Sequence, residues 1–71
     1  MTATETRSRQ AATDLELLVD GFGMEGVVSM LAVICREKAE HIASNWQDAA
    51  LARAWERNAL AMQSAAGRVT A

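Results

Sequence analysis

Glu37, Glu40 and His41 are the residues whose types and spacing come closest to metal chemistry. Glu37 stands one helical turn before His41, at i and i+4, so the two side chains neighbour each other on a helix. With Glu40 they make half of a carboxylate–imidazole site, and a twofold dimer would supply the other half. The di-iron bundle pattern, however, needs Glu-x-x-His at i and i+3. Here the position three before His41 is Lys38, a repelling cation. A solvated ion pair on a helix flank is therefore the preferred reading. A metal-binding bundle built from Glu37, Glu40 and His41 of two chains stays as the alternative, and no cofactor is expected.

Cys35 and His41 are the sole thiol and the sole imidazole. Six residues apart on one helix, they point about 120° apart with about 9 Å of rise between them, too far to hydrogen-bond. Cys35 also falls inside an apolar stripe, which suits a small buried hydrophobe better than a nucleophile. Ser8, Ser29, Ser44 and Ser64 have no candidate base beside them, and no glycine-rich loop follows a strand. No enzymatic activity is expected.

The elements that carry these residues are legible in the apolar spacing. Met24, Val27, Val28, Leu31, Ile34, Cys35, Ala39 and Ile42 recur at steps of mostly three and four. After the polar stretch from Ser44 to Asp48 comes a second stripe: Leu51, Ala54, Trp55, Ala59, Met62, Ala65 and Ala66. Two such stripes joined by a short link predict an antiparallel helical hairpin. The spacing sets Lys38 beside Trp55, Cys35 beside Asn58, and Ile42 beside Leu51.

Residues 1–12 show no periodic apolar face and are expected to be a flexible tail. Thr13 and Glu16 fit a capping box that would open a short first helix carrying Leu15, Leu18 and Val19. Gly21 is placed to end it, with Gly23 allowing a second bend and Phe22 dropping onto the hairpin. The second helix then starts near Met24 and ends between His41 and Ser44. Ser44, with Gln47 three positions on, is the expected cap of the third helix, and Asp48 favours the same terminus. Eight alanines between 49 and 66 make that helix a strong former, and Gly67 stops it. The fold class is thus all-α: a short N-terminal helix followed by a hairpin, as one domain over 13–67 with a C-terminal tail at 68–71.

The chain has 71 residues and a formal net charge of −2. A chain this short has little interior, and such proteins often rely on a disulfide, a metal or self-association. A single cysteine excludes an internal disulfide and a zinc site of several thiolates. Self-association is the remedy left. The acidic balance argues against nucleic acid and anionic membranes as partners. Arg53 and Arg57 stand one turn apart with Glu56 between them, which reads as a solvated face, with a nucleic-acid-associated regulator using the two arginines as the weaker alternative. The longest wholly apolar run, Met30 to Cys35, is far below the ~20 residues of a membrane span. With no apolar signal core near Met1, a cytoplasmic setting is expected.

Lys38 falls near the middle of the first stripe and Asn58 holds the matching place on the second. A buried ammonium is costly, so the stem should lie along the core with its head in water or over the Trp55 ring. Whether Lys38 and Asn58 sit at a core edge or fix the register of a partner stays open at this point. Trp55 is expected in the core, and Trp46, at the turn, is a natural contact residue if exposed.

Met30, Val33 and Leu60 project off the stripes, and a small hairpin has nowhere to hide them. Ala50, Ala54, Ala61 and Ala65 make a smooth edge that a second helix can approach closely. The expected interaction surface is therefore Met30, Val33, Trp46, Ala50, Ala54, Leu60 and Ala61. Its expected partners are a second copy of the chain, as a dimer or higher bundle, and another protein.

Overall fold

The computed structural model describes residues 2–45 and 48–71. Two α-helices pack against each other, α1 over Ala3–Asn45 and α2 over Ala49–Ala66. They run antiparallel. Lys38 of α1 meets Trp55 of α2, whereas Met24, much earlier in the chain, bonds Ala71 beyond the end of α2. The all-α helix-on-helix packing implied by the two stripes is observed, with no strand among the described residues.

The packing seam is narrower than the stripes. On α1 the buried residues Val28, Ala32, Cys35 and Ala39 lead to half-buried Ile42. On α2 buried Ala52 and Ala59 alternate with half-buried Trp55, Met62 and Ala66. Both sets alternate steps of three and four, the repeat that keeps one line of side chains facing a partner helix. Alanine at 32, 39, 52 and 59 leaves room for the two backbones to come close. Flanking side chains then stand outside the contact. Leu31, Ile34 and Leu51, expected within the stripes, are 39%, 46% and 46% exposed. Ala32 and Ala52, outside the expected stripes, are each only 4% exposed. The reason is width: a single partner helix covers one seam, while an apolar stripe of ~100° needs more than one neighbour.

α1 is not straight. A continuous helix of 43 residues would run about 65 Å, yet the molecule measures 38 × 34 × 14 Å. The bend is at Gly23, whose φ of 77° and ψ of 166° lie outside the helical region. The result is an L. An arm of residues 3–22 projects from one end of the hairpin, which is made of residues 24–45 and α2. The break would orphan the Met24 amide, and the Ala71 carbonyl accepts its proton. A Cβ on residue 23 would stand 2.7 Å from the Ala71 oxygen, so glycine is required there by backbone angle and by space. The break falls within the corner expected over 21–23, but Gly21, expected to end the first helix there, lies within helix and has open space around it. Both glycines permit a turn, and the contact with Ala71 selects the second.

Three helix ends also differ from expectation. The arm starts at a capping box formed by Thr2 and Glu5. The Glu5 amide donates to the Thr2 hydroxyl at 3.1 Å, and the Thr2 amide donates to the Glu5 carboxylate at 3.3 Å. Thr13 sits inside the helix instead, its hydroxyl donating to the Arg9 carbonyl at 3.0 Å. Residues 3–12, expected as a tail, are helical and wholly exposed. Their missing apolar face appears as missing burial, not as missing helix. α2 is capped by Asp48, whose carboxylate accepts from the Leu51 amide at 3.0 Å. Ser44 belongs to α1, and Gln47 lies outside the described residues. α1 closes at Asn45, whose side-chain amide donates to the His41 carbonyl at 3.0 Å. α2 ends before Gly67 as expected, in tight bonds from the Gly67 amide to Ser64 and the Arg68 amide to Ala65.

α1 also holds an 18-residue window of mean hydropathy 1.8, long and apolar enough by composition to cross a bilayer. The length of the longest unbroken apolar run therefore does not exclude a span, because scattered Gly and Ser lower the average little. The window carries Asp20 and Glu25 and straddles the Gly23 break.

Candidate interaction surface

The hairpin has two flanks of different chemistry, one on each side of the seam. Lys38 marks the first, its ammonium 5.4 Å from the centre of the Trp55 ring. That distance is within cation–π range, and it places Lys38 beside Trp55 as the spacing predicts. Asn58 falls on the same flank and is exposed, as is Lys38. Both are edge residues in the single chain. At ~100° per residue, Leu31 and Ile34 of α1 share this flank with Leu51, Ala54, Ala61 and Ala65 of α2. On this flank α1 carries a concavity of about 500 Å³ lined by its own Ile34, Glu37, Lys38, His41 and Ile42.

The second flank is polar. Ser29, Val33 and Arg36 of α1 face Gln63 and Ala66 of α2 around a groove of about 260 Å³. Leu60, one turn before Gln63, projects on this side near Glu56 and Arg53 and is 65% exposed.

The expected interaction residues are thus divided. Ala54 and Ala61 lie on the Lys38 flank, Val33 and Leu60 on the Gln63 flank, and Met30 and Ala50 on the outer backs of their helices. All of these are exposed except half-buried Ala54, and Trp46 lies outside the described residues. An apolar row that includes Leu31, Ile34 and Leu51, expected in the core, is instead exposed on the Lys38 flank. The signal that finds it is the alternating spacing of alanines 32, 39, 52 and 59, which marks the true seam.

The arm adds a second apolar surface. Leu15, Leu18 and Phe22 share one face and are 51%, 43% and 62% exposed, with Val19 half-buried. Phe22, expected to drop onto the hairpin, does not.

The candidate chemical groups do not converge. Cys35 is buried in the seam and His41 is exposed, so the thiol and imidazole do not meet. His41 Nδ1 lies 3.1 Å from the Asn45 amide nitrogen, which can donate to it when the ring proton is on Nε2. No group of three His, Cys, Asp or Glu able to hold a metal ion occurs among the described residues. Glu37, Glu40 and His41 spread around the exposed back of α1. Arg53 and Arg57 are exposed with Glu56. Comparison with protein-family models, with curated proteins and with solved structures returned no match.

Proposed function

We propose that this chain is a small non-enzymatic interaction module that works through its apolar helical surface. It acts as a self-associating adaptor, an assembly subunit or an inhibitor that covers a larger protein. One observation carries the reading: the interior and the surface are inverted in size. Among the described residues the buried set is Val27, Val28, Ala32, Cys35, Ala39, Ala52 and Ala59, with nothing larger than valine. Leucine, isoleucine and phenylalanine stand outside, on the arm and on the Lys38 flank. Leucines and phenylalanines carry the largest transfer free energies, and contiguous exposed patches of them mark contact surfaces. In this reading the arm acts as a separate N-terminal helix beside the hairpin, and the hairpin offers the docking face.

Sedimentation equilibrium of the full chain over a wide concentration range tests this. The expected result is a mass of at least twice 7.6 kDa. A 7.6 kDa particle at all concentrations, with helical content intact, would remove self-association from the proposal.

A further inference from the structure

We infer that the groove on the Lys38 flank is filled by the arm of a second copy of this chain, reciprocally, so that two L-shaped molecules exchange arms across a twofold axis. The inference rests on the reading of the chain as a self-associating module and names what occupies its docking face.

Spacing is the first argument. Ala11, Leu15, Leu18 and Phe22 follow steps of four, three and four, as Val28, Ala32, Cys35 and Ala39 do in the seam already formed. By helical spacing the flank repeats the rhythm on both of its helices, with Leu31, Ile34 and Lys38 on α1 and Leu51, Ala54, Asn58, Ala61 and Ala65 on α2. A helix with this repeat lies along such a flank as the third member of a bundle. Length agrees. The arm is about 30 Å long and each hairpin helix about 27–33 Å at the α-helical rise.

Direction decides whose arm it is. Gly23 turns the arm away, and the Met24–Ala71 bond with the tight approach of the Ala71 backbone holds the corner. Arm and groove are both exposed within one molecule. An arm cannot cover its own groove without undoing that corner, but a second copy meets no such obstacle. Twofold symmetry makes the exchange reciprocal, satisfying both arms and both grooves at once.

Size fits. Leu15, Leu18, Phe22, Leu31, Ile34 and Leu51 are 39–62% exposed. Covering them in two copies removes on the order of 1,000 Å², the threshold of a specific interface. Asp14 and Glu16 flank the arm's apolar row, and the groove lining carries Lys38 together with Glu37 and His41. A bilayer is a poorer occupant: the arm carries four carboxylates against two arginines, and the apolar window is broken at Gly23.

The test uses two full-length variants, Leu18→Glu in the arm and Ile34→Lys in the groove. Each alone should raise the dimer dissociation constant by roughly 30-fold or more, the loss of a buried anchor. Mixing them should restore a heterodimer, because one arm–groove pair is then unaltered and the other joins glutamate to lysine. Circular dichroism checks each variant, and Leu15→Glu with Leu51→Lys serves at the same places if either loses helicity. A wild-type dimer with no recovery on mixing overturns the exchange while leaving self-association standing. A wild-type monomer overturns both. A monomer that sediments with phosphatidylcholine vesicles assigns the surface to lipid and overturns the exchange.

Discussion

The arm and the hairpin differ less in sequence than in fate. Both have helix-forming residues, a capped start and apolar side chains at steps of three and four. Yet every residue of 3–22 is exposed except half-buried Val19, while every buried residue among those described belongs to the hairpin. Side-chain size on the repeated row accounts for this. The limb after Gly23 presents Val28, Ala32, Cys35 and Ala39, short enough to seat α2 at close range. The arm presents Leu15, Leu18 and Phe22, which need a wider groove than its own chain offers it. Periodicity makes a helix with an apolar face, but burial needs a partner of matching width.

Three sets of substitutions break or sharpen that contrast. The largest effect is expected from Ala39→Glu. Residue 39 is 3% exposed, and an unpaired carboxylate there costs several kcal/mol. That is comparable with the whole stability of so small a domain, at about 0.05–0.15 kcal/mol per residue. Circular dichroism should show the hairpin unfolded, whereas Thr6→Glu on the outward side of the arm should leave the melting temperature where it was. Equal losses would mean that the arm is as tightly packed as the seam.

The corner between the two regions gives the next effect. Gly23→Ala forces a Cβ into left-handed backbone against the Ala71 carbonyl and should cost roughly 1–3 kcal/mol by thermal melting. Gly21→Ala, in open helix, should instead stabilise by about 0.5–1 kcal/mol. Opposite signs two residues apart place the break at Gly23, and two stabilising substitutions would place it elsewhere.

The caps give the smallest effect. Asp48→Ala should lower hairpin stability by about 1 kcal/mol, the usual worth of an N-cap. Thr2→Ala removes the same kind of cap from the arm. It should trim helicity by a turn while leaving the main transition in place, because the first turn of an exposed helix frays independently of the packed pair. A comparable drop in melting temperature from both would show the arm to be coupled to the core.

Much of this was legible residue by residue. The two stripes gave the antiparallel packing, and Lys38 over Trp55 followed from their register. Gly67 marked the end of α2. Other features differ from what local signals predict because those signals compete. Thr13 and Glu16 make as good a capping box as Thr2 and Glu5, and only the first turn of a helix can use one. Gly21 and Gly23 are equivalent in isolation. Leu31, Ile34 and Leu51 looked like core because hydrophobicity ranks them above alanine, although alanine is what a close seam selects. The expected interaction set fell on three sides of the molecule for the same reason.

Local chemistry alone determined that this chain is helical, where its apolar faces lie and which residue types can cap or break its helices, because 3.6-residue periodicity and backbone propensities act within a turn or two. Only the tertiary structure decided which glycine bends, which repeat becomes the seam and which leucines remain uncovered. Those outcomes depend on how near two distant backbones can come, and that distance is set jointly by alanines 13 to 27 residues apart in the chain.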